Sequence, residues 1–254
     1  MRIFTPGANK STTTAFGDDL SISLPASGKM VFMLWKEVKL LFRKEVILEW
    51  RQRNALNGII LYVVSAVFVC YLSFNLQRGS LNVVTWNALF WIIMLFVAIN
   101  AIAKSFMQER YGRQIYYYTI SSPQGIILSK ILYNVILMLL LAFTCLIVYA
   151  VVLGNPIQDW GLFVLNLLLA SAGFSSTLTM VSGIASRTSN SSTLMAILGF
   201  PVIIPMLLMV IRVSKNAIDG LDVSVSYDDL LVLVAINVIV GTVSYILFPY
   251  LWRS

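Results

Sequence analysis

The sequence contains no histidine. That removes the commonest protein ligand for zinc, copper and haem iron, and with it most metal-enzyme chemistry. Charge is nearly as scarce: 11% of the 254 residues are Asp, Glu, Lys or Arg, against about 25% in soluble domains. Cysteine is limited to Cys70 and Cys145, both inside apolar runs. A thiol there behaves as a small hydrophobe, so no disulfide framework is expected. A GxxxxGK[ST] phosphate loop is also missing. The Gly28-Lys29 pair lacks both the flanking glycine and the following Ser or Thr.

What the chain does hold is apolar length. Asn54–Gln77, Gly79–Ala103, Ile131–Gln158, Trp160–Ser186, Thr188–Ile211 and Leu230–Trp252 contain no charged side chain. A helix of about 20 apolar residues crosses the ~30 Å hydrocarbon core of a bilayer, and hydrocarbon penalises any backbone group left unpaired. The chain therefore reads as an all-α integral membrane protein. Its six transmembrane helices are expected near 57–76, 86–106, 126–152, 161–185, 193–211 and 230–251 of one membrane domain, 54–254.

If the spans alternate from a cytoplasmic N-terminus, only Arg78, Arg212 and Lys215 of the 18 Lys and Arg residues fall on outer segments. That asymmetry predicts both termini in the cytoplasm. The net charge of +7 is then topology, not a nucleic-acid-binding patch.

Residues 1–29 are rich in Ser, Thr, Gly, Ala and Pro without amphipathic period. They lack the apolar core of a secretory signal and are expected to be a disordered extension or a mis-assigned start. From Val31 an apolar stripe of Val31, Leu34, Trp35, Val38, Leu41 and Phe42 recurs at helical spacing, with Lys36, Lys39 and Arg43 opposite. The pattern predicts an amphipathic cytoplasmic interface helix over 30–53, with Trp35, Lys36, Lys39, Phe42 and Arg43 at the membrane surface. A soluble helix packed on a partner is the alternative.

The fourth span carries Ser171, Gly173, Ser175, Ser176, Thr177, Thr179, Ser182 and Gly183, residues that let helix backbones approach closely. The fifth contains Pro201 and Pro205, expected to kink or break it. A longer outer loop is expected over 212–229. Asn87, Asn100, Asn134, Asn166 and Asn237 are the strongest polar groups inside the spans and are read as interhelical hydrogen bonds. Met180, Met195, Met206 and Met209 are read as packing residues.

Proton- and ion-coupled transporters carry ionisable groups inside the membrane, and these span interiors have none. An active transport process would need an ATPase on a separate subunit, docking on the cytoplasmic face. The segment 107–125 after the second span suits such docking. Glu109, Arg110 and Arg113 offer charge, Gly112 permits a bend, and Pro123 punctuates before the next helix, which Lys130 opens. Tyr116, Tyr117 and Tyr118 fit an interfacial aromatic belt.

Glu109, Gly112, Ser122-Pro123 and Lys130 together resemble the coupling segment of type-2 ABC exporter permeases. Within that superfamily the chain is similar to the haem exporter protein B (CcmB) family of cytochrome c maturation. The likeness includes the double-proline run Leu198 to Leu208, the small-residue span ending at Arg187, and the overall length. Lacking a phosphate loop and histidine, the chain is itself expected to be no enzyme and to bind no cofactor; the resemblance implies a multi-pass subunit of the bacterial inner membrane. It implies a homodimer paired with two copies of a cytoplasmic ABC ATPase, which holds the ATP, and with a haem-handling membrane subunit. Hydrolysis would drive haem export or release of a haem-loaded periplasmic chaperone. The alternatives are a type-2 ABC permease for a lipid, glycan or drug, and a scaffold that transports nothing.

Overall fold

The structure, a computed structural model, describes residues 26–51, 53–76, 82–102, 121–186 and 191–253. In hydrocarbon a backbone can satisfy its own polar groups by coiling, and the long apolar runs do so. The helices are α1 (Ala26–Arg51), α2 (Arg53–Leu76), α3 (Val83–Ile102), α4 (Pro123–Leu153), α5 (Trp160–Ala185), α6 (Ser191–Asp219) and α7 (Tyr227–Arg253). Among the described residues there is no strand, and six helices, α2 to α7, are long and apolar enough to cross a membrane.

Two boundaries differ from expectation. Helix α1 is already present at Ala26, ahead of residue 30. Helix α6 does not stop at 211 but continues to Asp219, which removes most of the expected outer loop. The reason is that Val213, Ala217 and Ile218 prolong the buried stripe of Met206 and Val210, while Arg212 and Lys215 face outward. Gly220, at φ 67°, ends the helix in the left-handed conformation that glycine adopts without strain. What remains is a short 3₁₀ turn, Val223–Ser226, before α7.

Neither proline ends α6, which runs through both. Pro201 and Pro205 lie on its exposed face with Ile197, Ile204 and Leu208. Because proline has no N–H, the carbonyls of Ile197 and Pro201 lose their partners within the helix.

Helix α5 is the centre of the bundle, in contact with α3, α4, α6 and α7. Its membrane window is 67% buried, against 11% for α2, which packs on α3 and α4. Small residues make that central position possible. A Cβ at Gly173 would collide with Met206 Sδ of α6 and lie 3.2 Å from the Asn237 amide of α7.

The end of the bundle away from α1 is held by aromatic rings. Trp86 stacks on Phe90 at 5.8 Å and meets Tyr149 edge-on at 4.8 Å. Their polar tips are satisfied: Trp86 Nε1 donates to the Gly154 carbonyl (3.0 Å) and Tyr149 Oη to the Trp86 carbonyl (2.9 Å), as buried Trp and Tyr require. The connections there are tied together as well. Asp159 caps α5 through the Leu162 N–H (3.0 Å), and its own N–H donates to the Ala217 carbonyl at 2.9 Å.

Candidate functional site

Most of the polar groups inside the bundle join helices to one another. Asn87 donates to the Ile211 carbonyl of α6 (2.9 Å) and accepts from Ser214 Oγ, which in turn accepts from Trp91 Nε1 at 2.7 Å. Asn134 of α4 donates to Thr179 Oγ1 of α5 (2.7 Å), while Ser175 Oγ donates back to the Asn134 carbonyl (3.0 Å). Asn166 donates to the Val210 carbonyl (2.8 Å), and Asn237 is shared between Leu169 of α5 and its own helix. Asn100 differs: among the described residues its bond is within α3, to the Phe96 carbonyl, on the exposed side. Met195 and Met206 are buried in the main core, and Met209 packs against it. Among the described residues no group of three or more His, Cys, Asp or Glu could hold a metal.

The charged chemistry gathers at the α1 end. Helix α4 has 31 residues, about 46 Å at 1.5 Å per residue, so it outruns the ~30 Å hydrocarbon core. Gln124, Ser129 and Lys130 sit in its first turns. Those turns are where α1 packs. Ser122 is the N-cap of α4, its Oγ accepting from the Gly125 N–H (3.1 Å), and Pro123 occupies the first helical position. Both the N–H and the Oγ of Ser122 also donate to the Glu37 carboxylate of α1, the hydroxyl at 2.8 Å. The anion therefore rests on a helix N-terminus, where backbone dipoles favour it.

Gly125 makes this seat possible, since a Cβ there would stand 2.9 Å from Glu37 Cδ. Two turns further on, Glu45 Oε1 pairs with Lys130 Nζ at 3.2 Å and with Lys44 Nζ at 3.1 Å. Leu41 packs between these points with Ile126, Ile127 and Phe248 of α7, and Phe42 meets the Tyr133 ring at 6.4 Å.

Several sequence-based assignments change. Lys130 is not on a docking surface: it is 1% exposed and turned toward Glu45, because a buried ammonium needs a paired carboxylate. Trp35 and Phe42 do not share one environment. Phe42 has Tyr133 beside it, whereas Trp35 lies before the level of Ser122, where α4 starts, and is 65% exposed. The apolar stripe of α1 is taken up by α4 through Val38 and Leu41. Its opposite face leaves Lys36, Lys39 and Arg43 exposed beside Leu40 and Ile47.

Glu109, Arg110, Gly112 and Arg113 lie outside the described residues. Glu37, Glu45 and Gly125 were missed by sequence reasoning. A signal existed: Glu37 and Glu45, eight residues apart, fall on the apolar side of a helix whose other face is basic.

Comparison with curated proteins and with solved structures returns no match. A profile of the CcmB protein family matches residues 36–249, from the exposed face of α1 to within four residues of the end of α7. By that match, which covers six long apolar helices and the α1 segment from Lys36 onward, the chain belongs to the CcmB protein family.

Proposed function

We propose that this chain is the permease subunit of an ATP-binding-cassette complex of the bacterial inner membrane. In that complex, ATP hydrolysis on a separate cytoplasmic subunit is coupled to haem export or to release of a haem-loaded periplasmic chaperone. Family membership makes the chain a multi-pass membrane component of the haem export and cytochrome c maturation system, a permease subunit that is not itself an ATPase. The finer reading rests above all on the match across 36–249. Two features of the molecule support it. Lys130 is the one charged side chain in the buried set among the described residues, so those residues offer no series of buried ionisable groups of the kind a proton relay uses. The α1 end carries an exposed basic face and a firmly held start of α4, next to the segment that resembles a coupling loop.

A homodimer is part of the proposal. The Ile197 and Pro201 carbonyls, freed by the prolines, sit on an exposed helix face that lipid cannot satisfy. A second copy covering α6 would exclude lipid from them. Haem is treated as cargo. The aromatic cluster of Trp86, Phe90 and Tyr149 is fully buried and packed, so we assign it no haem contact. The test is a deletion strain complemented with the full chain. Loss of c-type cytochromes on deletion, restored by the chain, is the expected result; normal cytochromes in the deletion strain would refute the assignment.

A further inference from the structure

The first turn of α4 is anchored by a carboxylate from another helix. Glu37 takes the N–H and hydroxyl of Ser122, and Glu45 takes the ammonium of Lys130. Both steps, 37 to 45 and 122 to 130, are eight residues, so α1 and α4 advance together by about 12 Å, parallel and in register. Bonds to an ionised group are stronger and more directional than neutral ones. Two of them, at two levels, resist both sliding and rotation of one helix against the other. Displacement of the α4 N-terminus must then carry α1 along or break both contacts together.

In sequence only Gln52 separates α1 from α2, and α2 is the least buried of the six spans, with Val63 and Val67 as its buried core residues among those described. We propose that Glu37 and Glu45 form a two-point latch that passes movement of the α4 N-terminus to α1 and on to α2, making α2 the span that shifts as the complex turns over. The proposal rests on the reading that a cytoplasmic ATPase acts on the face from which α4 emerges. Glu37 and Glu45 act here as positioning residues. The proposal makes the α1–α2 arm the two-state element that such coupling requires.

The experiment uses the full complex in a Cys70→Ala/Cys145→Ala background, with spin labels at Leu72→Cys on α2 and Leu165→Cys on α5, both partly exposed positions. Distances are measured without nucleotide and with a non-hydrolysable ATP analogue. The wild-type latch should show a nucleotide-dependent shift. Glu37→Ala and Gly125→Ala, the second placing a methyl where the carboxylate sits, should retain the ATPase and lose the shift. Glu45→Lys and Lys130→Glu should each lose it in complexes that assemble and keep their ATPase activity, which loss of a merely stabilising pair would not cause, and the double exchange should regain it. If Glu37→Ala and Gly125→Ala fail to assemble, the charge exchange decides. A shift that persists in assembled latch variants, no recovery in the exchange, or no shift in the wild-type complex overturns the latch while leaving the ATPase reading intact. Absence of any ATPase from the wild-type preparation refutes that reading and the latch with it.

Discussion

Lys130 shows how one side chain can carry two meanings. In the sequence it is a lysine opening an apolar span, and long cationic side chains at such positions usually reach for the interface. In the folded chain it is buried against Glu45. Removing one member of a buried pair leaves the other charge less compensated, at a cost of up to about 3–5 kcal/mol and less for Glu45, which keeps Lys44 beside it, whereas replacing both with apolar residues of similar size is often neutral. Glu45→Ala and Lys130→Met should therefore each lower the thermal stability of the purified protein markedly, and Glu45→Leu/Lys130→Met should recover most of it. Single variants that melt like the wild type would show that the pair is not formed. The acid that completes it was hard to read from sequence, because Glu45 falls where the stripe of α1 blurs, and only the position of α4 gives it a partner. The Ser122-Pro123 start was more legible: a hydroxyl cap followed by proline is a local signal.

At the scale of elements, the helices that local chemistry governs were visible, and the surprises came from packing. The small residues of α5 announced close approach, and Gly173 delivers it against Met206 and Asn237. The end of α6 was misplaced because Arg212 and Lys215 look like a boundary, yet Val213, Ala217 and Ile218 bury the opposite face. Where a helix outlasts its charge-free run, tertiary contact decides its length.

Helix α6 also offers the clearest test of self-association. Ile204 is exposed between Pro201 and Pro205 on the face whose carbonyls are freed. In a background of Cys70→Ala/Cys145→Ala, Ile204→Cys should form an oxidant-induced dimer in membranes, while Leu231→Cys, exposed on α7, should not. Equal cross-linking at both positions would argue against a specific α6 interface.

For the molecule as a whole, the division of labour follows from where polarity sits. One end is closed by aromatic packing and knitted connections, and the middle is joined by amide and hydroxyl bonds. The other end gathers the acids of α1, the start of α4 and an exposed basic face. On the proposed reading, the spans supply a mechanical body and the work arrives at the charged end. That expectation comes from the uncharged runs and the missing phosphate loop; the route by which α1 engages α4 could not be read there, since it depends on two helices distant in sequence.

The central claim is that ATP hydrolysis by a separate subunit drives this chain. Affinity purification of the full chain from native membranes, with assay of ATPase activity in the purified complex, tests it most directly. The account predicts that a cytoplasmic ABC ATPase co-purifies and supplies the whole of that activity. Its ATP-hydrolysis-dead variant should abolish c-type cytochrome formation. A chain that purifies without an ATPase, or cytochrome formation that continues when that ATPase cannot hydrolyse ATP, would contradict it.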